Sequence, residues 1–191
     1  MNTPAHLVLN ALVLGRGPWR GAWFPITAGA LMPDLPMFVF YIYQRGVLAT
    51  PEAIIWSDAY FQPNWQLVFD LFNSLPLLCL AALISWRARA PRLLAFITSM
   101  ILHCLMDLPL HHDDAHAHFR PISAWRFESP ISYWDPEHYG QIFAGVEMLF
   151  ILGGAGLLVF RSRLRAWRLV GAFTLVSYAL FIAFAAIVYP Y

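Results

Sequence analysis

Five of the chain's seven histidines and three of its aspartates fall in one stretch, His103 to His118, reading HCLMDLPLHHDDAHAH. Neutral imidazole and carboxylate are the usual ligands of zinc and related divalent ions. On a helix, His103, Asp107 and His111 recur at steps of four and share one face. Pro109 ends that helix. Beyond it, His112, Asp113, Asp114, His116 and His118 crowd a short polar segment. The plainer reading is a solvated loop following one helix-end His–Asp pair. The sharper one is a metal site, and the setting favours it. The stretch begins inside an apolar run, where ionisable groups are costly and mark function by default.

That setting is a membrane. Of 191 residues, 60% are hydrophobic and 12% are charged, against roughly 25% charged in soluble domains. The net charge of +1, carried with twelve arginines and no lysine, offers no patch for nucleic acid. Cys79 and Cys104 each lie in an apolar segment and read as packed free thiols. The N-terminus has neither the basic start nor the cleavage site of a signal peptide.

The pattern predicts an all-α, polytopic membrane helix bundle: a short N-terminal helix and five full spans in one integral membrane domain. Residues 4–14 make the short helix, with Thr3 as a candidate cap and Pro4 suited to its start; His6 and Asn10 share one of its faces. The spans are expected at 24–44, 66–86, 93–110, 139–160 and 167–189. The first is interrupted by Pro33-Asp34-Leu35-Pro36, and such irregular backbone is tolerated at membrane depth only against protein or a cavity. Residues 45–65 and 111–138 read as loops. The second is long enough to be a functional lid, and carries the interfacial aromatics Trp125, Tyr133 and Trp134.

The arginines orient the bundle. Residues 87–92, RARAPR, and 161–168, RSRLRAWR, hold seven of the twelve, and two spans separate them. Both can then be cytoplasmic, with Arg16 and Arg20, which leaves the His/Asp-rich loop 111–138 external. On that topology Asp70, Asp107 and His111 lie near the outer surface, with His103 about 6 Å deeper than Asp107 at the helical rise. Glu147 is about two turns in, Asp34 is near mid-depth, and His6 is external. The carboxylates and histidines thus converge on one half of the membrane, an outcome the arginine count did not presuppose.

Three motifs in order carry a family resemblance: His6 on the N-terminal helix, Gly29-Ala30-Leu31-Met32-Pro33-Asp34, and His103 to Asp107 as H-x-x-x-D. Over roughly residues 4–120 the chain resembles the membrane-bound metal-dependent hydrolases, also described as LexA-regulated or LexA-binding inner-membrane hydrolases. The resemblance implies a bacterial inner-membrane location. The family commonly has Thr-His-Ser between the last two motifs, where this chain has Phe72-Asn73-Ser74. With that histidine absent, either Asp70 or the histidines of 111–118 supply the missing ligand, or the metal chemistry is lost.

The expected ligands are Asp34, His103 and Asp107, completed by His6, His111 or His112. The ion is a divalent metal, zinc first, with iron or manganese as alternatives. Asp113 or Asp114 is the candidate general base or holds a second ion. Asp70, Glu147, His116 and His118 are candidates for the layer behind the ligands. Arg120 and Arg126 either hold an anionic head group or anchor the loop at the interface. The function this supports is hydrolysis of an amphiphilic or lipid-linked substrate at the external leaflet, with membrane lipid as the surrounding partner. The alternatives are a non-catalytic membrane assembly or scaffold subunit, and a histidine-box di-iron oxygenase of lipids or carotenoids.

Overall fold

A computed structural model describes residues 1–188, and it is helical throughout its ordered elements. Eight helices organise it: α1 Thr3–Leu14, α2 Trp23–Leu31, α3 Leu35–Ile42, α4 Pro63–Phe72, α5 Leu75–Arg87, α6 Pro91–Asp107, α7 Gly140–Arg161 and α8 Arg165–Val188. The segment expected as loop 45–65 is mostly helical turns, with wide π turns at Tyr43–Val47 and Ile55–Ala59.

Among the described residues, two helical runs are long and apolar enough to cross a membrane, Pro63–Arg87 and Gly140–Arg161. A third exists if Trp23–Leu31 and Leu35–Val47, bent by 53°, count as one span. The expectation of five full spans is therefore corrected to two or three. The span expected at 24–44 breaks at Met32–Asp34, because Pro33 and Pro36 cannot donate to the helix. The span expected at 93–110 closes as a 17-residue helix at Asp107, two residues short of Pro109. The last expected span, 167–189, ends outside the described residues.

Helix α6 is the hub: α2, α5 and α1 all pack on it. The closest approach is to α2, and Gly29 permits it. A Cβ there would sit 2.3 Å from the Phe96 carbonyl oxygen and 2.7 Å from Ser99 Cβ. A polar ladder pins the same three helices. Asn10 on α1 donates to the Ser99 carbonyl at 2.8 Å and to Ser99 Oγ at 2.7 Å, and Ser99 Oγ donates to the Ile26 carbonyl at 2.6 Å. A small-residue seam seats α1 on α7, where a Cβ on Gly154 would meet Val8 at 2.5 Å. Ala5, Val8, Ile26, Ile151 and Trp167 belong to the apolar core that results.

Two further clusters flank this core. Leu78, Ile97, Met100 and Cys104 fill the space between α5 and α6. Cys104 is buried as expected; Cys79 is exposed on the outer face of α5. Phe40, Tyr60 and Phe69, with Trp65 against them, form an aromatic block that ties the 52–62 turns to α3 and α4.

The Gly29→Ala variant is expected to lose roughly 1–3 kcal/mol through overpacking at the α2–α6 contact. The check is the thermal midpoint in detergent. Gly145→Ala, whose added Cβ would meet nothing within 4 Å, should leave that midpoint unchanged or raise it.

Candidate metal centre

The break between α2 and α3 builds the first half of the site. Once Pro33 interrupts the helix, the last carbonyls of α2 lose their own partners. His103 Nδ1 donates to the freed Ala30 carbonyl at 2.8 Å. The same break turns Asp34 inward, where Thr3 Oγ1 donates to its Oδ2 at 2.5 Å. Thr3 therefore does not cap α1, as its sequence position suggested: the N-cap is Asn2, without a side-chain cap bond.

The face of α6 supplies the second half, and α1 lays His6 across it. His6, His103 and Asp107 are all buried and could hold a metal ion, with one ligand atom from each within 4.8 Å of the others. His6 and His103 stack, ring centroids 3.5 Å apart. His6 Nε2 lies 2.9 Å from Asp107 Oδ1. His103 Nε2 lies 3.0 Å from Asp107 Oδ2 and 3.4 Å from Asp34 Oδ1. His111 Nε2 approaches Asp107 Oδ1 at 3.4 Å. The amine of Met1 also meets Asp107 Oδ1.

The tautomer of His103 decides what this arrangement can do. Its Nδ1 faces a carbonyl, which only accepts, so the proton of a neutral ring is on Nδ1. Its Nε2 then presents a lone pair to two carboxylates, and that nitrogen is buried without an aligned hydrogen-bond partner. Two carboxylates and a lone pair repel unless a cation lies among them. A proton on His103 is one such cation; a metal ion is the other. A metal-binding histidine typically donates its second N–H to a backbone carbonyl, and His103 does so. Two ligand atoms on a tetrahedral ion of zinc size stand about 3.4 Å apart, close to the 2.9–3.4 Å separations seen. The residues fit a divalent cation.

Beside the cluster opens a cavity of about 550 Å³, and Asp34, His111, Asp113, Asp114 and His116 line its polar side. Met37, Trp56, Tyr60, Phe61, Tyr133 and Trp134 form its apolar side, and the start of the chain, Met1 to Thr3, closes the remainder. Asp114 Oδ2 sits 2.9 Å from His111 Nδ1 and accepts from Trp134 Nε1 at 3.2 Å. Burial opposes a charge on His111, but Asp107 and Asp114 outweigh it and hold the ring protonated up to about 9. Burial would raise the Asp114 carboxyl; His111 and His116 outweigh it and keep it below the usual carboxylate range. Burial, with His111 and His118 beside it, pushes His116 down to about 3, so that ring is neutral.

Other expected site residues serve elsewhere. His112 does not reach the cluster: its Nδ1 donates to the Ser129 carbonyl at 2.7 Å and its ring stacks on His138 at 3.5 Å. Asp70 is fully buried and accepts from Ala117 N at 2.8 Å, Arg120 Nε at 2.9 Å and Arg126 Nη2 at 2.8 Å. It fastens the loop. Arg120 and Arg126 are thus engaged by Asp70, which is not the head-group role considered for them. His118 donates from Nδ1 to the Asn73 carbonyl at 3.0 Å. Leu75 N donates to the His118 carbonyl at 2.8 Å, so the loop satisfies the backbone opened between α4 and α5. Glu147 accepts from Asn2 N at 2.7 Å and steadies the start of α1. Asn73, in place of the family's histidine, is occupied by the Phe69 carbonyl and the Cys104 thiol. Of the two substitutes considered, a loop histidine, His111, approaches the cluster and Asp70 does not.

Thr3, Tyr133, Trp134 and His138 were not singled out from the sequence as site residues. Tyr133, Trp134 and His138 lie in the 111–138 loop, which has no periodic signal, and Thr3 read only as a cap of α1. No family model, curated protein or solved structure matches the chain.

Removing the Asp70 carboxylate by Asp70→Asn strands two guanidiniums that are about one-third exposed. The expected effect is roughly 2 kcal/mol easier opening of the loop. Hydrogen exchange over residues 111–126 reads it, and the exchange of α6 should not change.

Proposed function

We propose that the chain is a membrane-embedded, metal-dependent hydrolase of the kind it resembles, acting on an amphiphilic or lipid-linked substrate at the external leaflet. One observation carries the reading. His103 commits its neutral-state proton to Ala30 and turns a lone pair toward Asp34 and Asp107, beside a cavity large enough for a substrate. His6, His103 and Asp107 would hold the ion, with Asp34 and His111 at its open side. Zinc suits the imidazoles first; the carboxylates also suit iron or manganese. A bound divalent ion supplies an acidified water and polarises the scissile group.

The protein's own residues do the rest. Asp114 is ionised, faces the cavity and is held by His111 and Trp134, so it can accept a proton from an attacking water. Asp113 lies exposed at the same wall, where a second proton acceptor or a substrate contact is available. Trp56, Phe61, Tyr133 and Trp134 give an apolar chain a surface to lie on and narrow the access of water. No arginine lines the cavity. Without a guanidinium to fork a phosphate, acyl esters and amides are the first substrate classes to test. The arginine-rich segments on the opposite side support the external orientation. The scaffold reading keeps one supporting observation, the Met1 amine on Asp107, since that cation could balance the carboxylates without a metal.

Acyl-ester and acyl-amide reporters in mixed micelles should be cleaved by zinc-loaded protein and spared after chelation. Asp114→Asn should slow cleavage by roughly 10²–10⁴-fold, the span of a general base, with bound metal retained. Metal-loaded protein inert toward every such reporter would count against the hydrolase assignment.

A further inference from the structure

A second cavity, of about 810 Å³, lies at the other end of α1. His6 sits at the metal centre, whereas Ala11, Leu12 and Gly15 border this cavity. Five to nine residues of helix separate His6 from them, about 8–14 Å along its axis. Arg16 and Arg20 come to the cavity from the α1–α2 connection, Arg161 from the end of α7, and Arg163 from the α7–α8 turn. Two stretches far apart in the chain, 16–20 and 161–163, therefore bring four arginines to one recess. No carboxylate lines it. Among the described residues none of the four arginines makes an ion pair or a side-chain hydrogen bond. Its inner wall is apolar: the buried Leu158 and Trp167, whose indole N–H is bonded to the Arg20 carbonyl at 3.2 Å and fixes the connection in place, with Leu157 exposed at its edge.

We infer that this recess binds the phosphate of an anionic phospholipid, with an acyl chain along Leu157 and the α1–α7 seam. Four like charges in one concavity repel one another, and a phosphate relieves that repulsion with forked guanidinium bonds. Basic recesses between helices at a membrane's cytoplasmic face are suited to anionic head groups. The cavity is independent of the metal centre, shares no lining residue with the first cavity, and stands whether or not the chain is a hydrolase.

The test is native mass spectrometry of the full chain in detergent, titrated with phosphatidylglycerol, phosphatidylcholine or inorganic phosphate. Variants are Arg161→Gln/Arg163→Gln, Arg16→Gln/Arg20→Gln, and a control, Arg87→Gln/Arg89→Gln, outside the recess. Retained phosphatidylglycerol that falls roughly thirtyfold in either recess pair, but not in the control, supports the site. Equal retention of phosphatidylcholine, or equal loss in the control, overturns it in favour of general surface charge. Displacement of the lipid by millimolar inorganic phosphate overturns the lipid assignment and leaves a site for free phosphate. Either recess pair suffices, and thermal midpoints equal to wild type establish that each variant is folded.

Discussion

Asp34 and Asp107 face one another across His103 inside the protein, and the proton of that ring is spoken for by the Ala30 carbonyl. Two carboxylates beside a lone pair, away from bulk water, would not persist without positive charge. Much of the surrounding architecture serves this constraint. Gly29 brings α2 close enough to α6 for the Ala30–His103 bond, the end of α2 at Leu31 leaves that carbonyl free, and Asn10 and Ser99 hold α1 in register so that His6 lies on its stacking partner.

The loop over the site is held by separate means. Asp70 gathers Ala117, Arg120 and Arg126, while His118 and Leu75 close the backbone gap between α4 and α5. This leaves Asp113, Asp114 and His116 presented to the cavity by a fixed loop. The contrast between the two cavities follows the same economy of charge. The one at the cluster is lined by carboxylates and histidines without arginine, and the one at the far end of α1 by arginines without carboxylates.

Much of the cluster was legible in the sequence because helical spacing is a rigid ruler. His103, Asp107 and His111 at steps of four had to share a face, and Asp34 between prolines had to sit where the backbone was irregular. The span count was less legible. Apolar composition does not reveal where a helix stops: the 24–44 run breaks at Met32–Asp34, and the 93–110 run closes at Asp107. The roles of Asp70, His112 and His118 were not legible either. Each is set by a contact 17 to 56 residues away in the chain, such as Arg126 with Asp70 or His112 with Ser129, and local spacing carries no information at that range.

The most direct test of the account is metal stoichiometry, measured by elemental analysis on detergent-purified protein beside a His103→Ala/Asp107→Ala variant of equal helicity. The account expects close to one divalent transition metal per chain in the wild type and its loss in the variant. Wild-type protein that stays metal-free after incubation with zinc, iron and manganese would contradict it, and would leave the His–Asp cluster as a proton-balanced structural core.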